Sequence, residues 1–91
     1  MCKMPKIGDT VYVIYAECIF VDKVFAVGEK EFILESFRRN TREDYWVCRM
    51  EDKYNRWFDC LDDAKEKLMS SYNDDYELVQ YDSTWYEVEK L

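Results

Sequence analysis

The chain has 91 residues, enough for one hydrophobic core and too few for two. Hydrophobic residues make up 48% of it and aromatic residues 18%, more apolar surface than a disordered chain carries. Twenty acids against thirteen bases leave a net charge of −7, which opposes general binding to nucleic-acid phosphates.

Met1 to Lys6 reads as a short polar leader closed by Pro5, without the apolar stretch of a signal peptide. Thr10 to Tyr15 is β-branched and aromatic on both faces, the pattern of a strand in a small closed barrel or sandwich. Cys18 to Val27 reads as a longer second strand, interrupted by Asp22 and Lys23 at a bend or exposed stretch. Gly28-Glu29-Lys30 is a turn signal, and Glu31 to Ser36 is the third predicted strand. Arg38 to Asp44 is a charged loop, Tyr45 to Met50 a fourth strand, and Arg56 to Phe58 a short fifth.

One helix follows. Leu61, Ala64, Lys65, Leu68, Met69 and Tyr72 recur at helical spacing, and Asp59, Asp62 and Asp63 crowd the end where the helix dipole favours negative charge. Tyr76 to Tyr81 and Trp85 to Glu89 then form a predicted hairpin around Asp82-Ser83-Thr84. The expected architecture is α+β. A small antiparallel SH3-like barrel or bent sheet of four to six strands spans 7–58, an amphipathic helix 59–73, and a C-terminal β-hairpin 76–90, all in one domain. No apolar run is long enough to span a membrane, so a cytoplasmic location without membrane contact is expected.

The residue types exclude most catalysis. Histidine is absent, which removes the commonest general base and the commonest transition-metal ligand together. Gly8 and Gly28 stand alone, so no phosphate-cradling glycine loop can form. Cys2, Cys18, Cys48 and Cys60 contain no CxxC pair, and four free thiols in a reducing compartment are expected rather than zinc or disulfides. Cys60 sits at a predicted helix start, but the surrounding carboxylates raise a thiol pKa more than half a dipole charge lowers it. Asn73-Asp74-Asp75-Tyr76 lacks the glycine and alternating oxygen ligands of a calcium loop. No catalytic residue, metal or cofactor is expected.

Ile7-Gly-Asp-Thr-Val-Tyr-Val13 resembles the opening of small SH3-like or KOW-like barrels, where a polar step leads into the first strand. Arg56-Trp-Phe-Asp-Cys-Leu-Asp-Asp-Ala-Lys-Glu-Lys-Leu68 resembles the strand-to-helix ending of small uncharacterised proteins of phages and mobile elements in Gram-positive bacteria. Cys60 departs from that pattern, standing where a capping threonine is usual, and Asp59 is the substitute cap. The resemblance implies a fold and a kind of genome; it carries no catalytic residues.

The uneven charge is the most informative feature. Residues 57–91 hold ten acids against three bases, net −7, whereas all five arginines lie between Arg38 and Arg56. One reading makes Asp59, Asp62, Asp63, Asp74, Asp75, Glu77, Asp82, Glu87 and Glu89 a contact surface that imitates nucleic-acid phosphates. Such a surface would inhibit a protein partner with a basic surface, a nuclease for instance, in the manner of anti-CRISPR proteins. The other reading is a housekeeping module binding a peptide or RNA through Arg38, Arg39, Arg42, Tyr45 and Trp46, the residue mix of contact hot spots. In the plainest reading the arginines pair with neighbouring acids, the aromatics fill the barrel, and the carboxylates keep a soluble protein apart from its copies.

Overall fold

In the computed structural model of this chain, residues 4–39 and 41–91 are described. The strands are β1 Thr10–Tyr15, β2 Cys18–Val27, β3 Glu31–Leu34, β4 Val47–Arg49, β5 Trp57–Phe58, β6 Tyr76–Tyr81 and β7 Trp85–Lys90. Among the described residues there are two α-helices, the short α1 Glu43–Trp46 and the longer α2 Leu61–Met69. The class is α+β, with a curled antiparallel half-barrel of order β4-β3-β2-β1-β5 and a C-terminal β6-β7 hairpin attached to β2.

β1 and β2 are joined by two residues, Ala16 and Glu17, both at positive φ (53° and 65°). That is the mirror-image turn whose twist matches the flanking strands, here built without the usual Asn-Gly. β1 then pairs with β2 along its whole length, from Thr10↔Lys23 to Tyr15↔Cys18. The register sets the faces. Val11, Val13 and Tyr15 share the concave side with Asp22, Phe20 and Cys18, while Tyr12 and Ile14 face the convex side with Val21 and Ile19.

Each side has its own core. Inside the curl Val11, Val13, Val24, Phe32, Leu34, Cys48 and Trp57 are almost fully buried, one or more from each of the five strands. The Trp57 indole N–H donates to the Arg49 carbonyl at 2.7 Å, so the largest core side chain keeps its polar group satisfied. On the convex side α2 lays Ala64 and Leu68 on Ile19 and Phe58, with Leu61, Tyr72, Leu78, Tyr86 and Val88 closing the edges. The helical stripe in the sequence is this contact.

Three expectations need correction. The third strand stops at Leu34 and continues as a 3-10 turn, Glu35–Arg38, which buries Ser36. Tyr45 and Trp46 end α1 rather than begin β4, so the last two residues of the predicted loop, Glu43 and Asp44, and the predicted strand start are helical. Cys60 occupies the N-cap of α2 without a side-chain cap, because Asp59 turns away to pair with Lys53 Nζ at 2.9 Å. Cys18, Cys48 and Cys60 carry no disulfide, and Cys2 lies outside the described residues. Among the described residues, no helix is long and apolar enough to cross a membrane.

Candidate functional site

The site originates in how β2 divides one of its edges. β1 and the Gly8–Asp9 segment occupy the other edge, where Val24 N–H donates to Asp9 O and Gly8 N–H to Val24 O. On the shared edge β7 pairs only with Cys18–Phe20, and β3 only from Val24 onward, past a bulge between Val24 and Ala26. Trp85, which opens β7, and Leu34, which closes β3, therefore point at one another with Val21–Lys23 between them. Neither strand can advance, and the chain after Leu34 turns outward through Ser36 into α1. Val21 N–H recovers one bond from Thr84 O at 2.8 Å. The gap that remains is a cleft of about 690 Å³.

Its floor is polar and buried. Asp22 is 8% exposed and Ser36 7%. Asp22 Oδ1 accepts the Lys23 backbone N–H at 2.8 Å, while Asp22 Oδ2 and Ser36 Oγ have no hydrogen-bond partner. The expected exposure of the Asp22-Lys23 interruption thus holds for Lys23 and fails for Asp22. Register explains this. Asp22 is in phase with Phe20 and Val24, so it is carried onto the core face with them.

The walls are aromatic. Phe20 meets Tyr45 edge-on at 5.2 Å and stacks on Trp85 at 6.1 Å. Tyr15 meets Tyr45 edge-on at 5.5 Å, and Tyr81 stacks on Trp85 at 4.6 Å. Five rings make one continuous strip. Tyr45 is buried, and that burial, with the nearby Asp22 charge, pushes its phenol pKa well above the ordinary tyrosine value. The Ser36 hydroxyl lies beside the phenol and offsets part of the rise without closing a hydrogen bond of ordinary geometry. The phenol is a neutral hydroxyl at physiological pH.

The acidic candidates divide among three places. Glu77, Glu87 and Glu89 follow the register onto the face that carries Tyr81 and Trp85, beyond the open end of the cleft. Glu89 accepts from the Tyr81 hydroxyl, and Cys18 Sγ donates to Glu87 Oε1 at 3.9 Å. Burial, and then the Glu87 charge, push the Cys18 thiol pKa up. Asp62 and Asp63 stand in the first turn of α2, in the layer on the opposite side of the sheet, while Asp59, ahead of the helix, pairs with Lys53 beside Trp57. Asp74, Asp75 and Asp82 lie in turns, the first two before β6 and the third between β6 and β7. The nine carboxylates do not form one surface.

The arginine and aromatic candidates divide as well. Arg39 and Tyr45 line the cleft. Arg42 stands at its rim, 5.8 Å from the Tyr15 ring centre and 3.7 Å from Asp44 Oδ1. Arg38 is spent elsewhere, 4.7 Å over Phe25, and Trp46 packs on Phe37 and against the inner core. Among the described residues no group of three or more Cys, Asp or Glu side chains converges as a metal site. Residue reading missed Phe20, Asp22, Ser36 and Trp85; the one available signal was a carboxylate in phase with apolar neighbours on a strand.

Comparison with protein-family models, with curated proteins and with solved structures finds no match to this chain.

Proposed function

We propose that the protein is a non-enzymatic interaction module, an acidic inhibitor that docks on a basic surface of a nucleic-acid-binding protein. The observation that carries this reading is the concave aromatic strip, Tyr15, Tyr45, Phe20, Trp85 and Tyr81, continued by Glu87 and Glu89 on the same face. The half-exposed rings of the strip, all but the buried Tyr45, supply contact area at low entropic cost, and rim carboxylates steer a cationic partner toward them. The net charge of −7 works in the same direction over longer range. A phage or mobile-element origin, suggested by the sequence resemblance, suits a small inhibitor of this kind.

Glu77, Glu87 and Glu89 are the carboxylates of this docking face; Asp62 and Asp63 lie on the other side of the sheet, Asp59 is paired with Lys53, and these three contribute only to the general field. The test is association with a panel of purified basic nucleic-acid-binding proteins, RNA-guided nucleases among them, at low and high salt. Expected is binding that slows steeply with salt, is displaced by DNA or guide RNA, and weakens at least about tenfold when Glu77, Glu87 and Glu89 become lysine. The same reversal at Asp59, Asp62 and Asp63 should cost far less. Equal losses from the two triple reversals, or binding indifferent to both, would remove this reading.

A further inference from the structure

We propose that the cleft between β2, β7 and the residues Ser36, Arg39, Thr41 and Tyr45 is a receptor for one side-chain cation of the partner, a guanidinium or an ammonium, with Asp22 as its counter-ion. The inference rests on the basic-partner reading above and names what that partner inserts.

Buried polar atoms in folded proteins almost always have a hydrogen-bond partner, because desolvating them without one is costly. Among the described residues two buried side-chain atoms lack one, Asp22 Oδ2 and Ser36 Oγ, and both residues line this cleft. A carboxylate oxygen is an expensive group to leave in that condition, since it loses hydration and gains no hydrogen bond in return. Its Oδ1 closes the Lys23 backbone N–H, but the fold gives Oδ2 no such task. Val24, two residues on and on the same face, shows what a strand filling the core uses at such a position. An acid retained on the core face, in the floor of an open cleft, fits a group whose partner arrives from outside.

The surroundings select the sign of that partner. Phe20, Trp85, Tyr45 and Tyr15 line the cleft, and an aromatic lining suits a cation through the ring quadrupoles. Arg42 is offset by Asp44, and Glu87 lies just past Trp85 on the same face. Among the described residues Arg39 is the one cation lining the cleft. A phosphate would meet the Asp22 carboxylate and a chain of net charge −7. A guanidinium has donors for both Asp22 Oδ2 and Ser36 Oγ, sheds water more readily than an ammonium and stacks on rings, so arginine should bind more tightly than lysine.

The test is a titration of isotope-labelled protein, followed by amide chemical shifts, with three capped tripeptides: acetyl-Gly-Arg-Gly amide, its lysine counterpart and its citrulline counterpart. Citrulline keeps the shape of arginine and removes the charge. Expected are saturable shifts confined to Phe20–Lys23, Ser36–Tyr45 and Thr84–Trp85, with citrulline at least about tenfold weaker than arginine. Asp22→Asn should weaken the arginine peptide at least about tenfold while the remaining spectrum stays that of the folded protein. Citrulline equal to arginine, Asp22→Asn without effect, or no cleft shifts up to about 20 mM peptide would each overturn the proposal. Guanosine monophosphate is the fourth ligand. Saturation of the cleft by it, in preference to the arginine peptide, would make the site a nucleobase pocket and overturn the proposal equally.

The two readings fail separately. If Glu77, Glu87 and Glu89 reversal abolishes binding to a basic partner while Asp22→Asn leaves it intact, docking stands and the counter-ion falls. If neither change weakens partner binding, the docking reading falls, and the peptide titration still decides what the cleft binds.

Discussion

The two ends of β2 share one concave face and meet opposite fates. At the Val24 end the neighbouring strands close around the side chains, and Val24, Phe32, Leu34 and Trp57 are sealed in a dry core. At the Phe20 end β7 leaves the edge after three paired residues, and Phe20, Trp85 and Tyr15 are only half-buried around a cleft. The residue types are much alike at both ends, large apolar and aromatic. What differs is whether a strand continues alongside. Closure converts apolar surface into stability; its absence leaves the same kind of surface available for contact.

The largest expected effect sets one tryptophan against another. Trp57→Ala, at the closed end, should cost about 3–5 kcal/mol in urea unfolding, a large fraction of a small domain's stability. Trp85→Ala, at the open end, should cost about 1 kcal/mol. Comparable losses would mean that the cleft is part of the core, and the contrast drawn above would collapse.

Next comes the convex layer. Leu68→Ala should cost about 2–5 kcal/mol because the leucine is 8% exposed beneath α2, while exposed Lys67→Ala should stay within about 0.5 kcal/mol. Thermal melts of the pair would measure it. Equal shifts would show that the helix does not hold the sheet from behind.

A third prediction uses pH. Burial pushes the Cys48 thiol up to about 12 from an ordinary 9.0, with Arg56 opposing and the Asp22 and Asp52 charges adding to the rise. The folded pKa lies above the unfolded one, so this contribution to stability is complete below about pH 9 and is lost as pH climbs toward 12. Tyr45, raised in the same direction, steepens the loss at higher pH. The decline should be on the order of 1 kcal/mol per pH unit above the unfolded thiol pKa. Urea midpoints at pH 7, 9 and 10 would show it, and Cys48→Ala should flatten the slope while lowering the baseline. An unchanged slope in Cys48→Ala would place the alkaline sensitivity away from the closed end.

The smallest effect concerns the turn beside the open end. Replacing Ala16-Glu17 by Asn-Gly puts residues that tolerate positive φ where the backbone already adopts it, and should stabilise the protein by about 1 kcal/mol. A calorimetric melt would register a higher midpoint. Destabilisation would show that Glu17 does more for this turn than its backbone geometry implies.

Periodicity was enough for the local elements. β1, β2, β6 and the stripe of α2 lie where alternation or helical spacing places them, because each buries one face and its side chains must repeat accordingly. The Glu35–Trp46 stretch was not legible. Its charged and aromatic residues carry no clear period, and its 3-10 turn and short helix exist because β7 blocks the way forward along β2.

The candidate site divides along the same line. The sequence by itself determined an acidic chain without histidine, an α+β order of elements, and Tyr45 and Arg39 among residues worth attention. Only the tertiary structure decided that Asp22 lies in a cleft with Ser36, Phe20 and Trp85, and that the acidic third faces several directions at once. The physical reason is that a strand's pattern reports which side of the sheet a residue faces. Whether that side is sealed depends on which strands, distant in the chain, come to lie along its edge, and no local spacing encodes that.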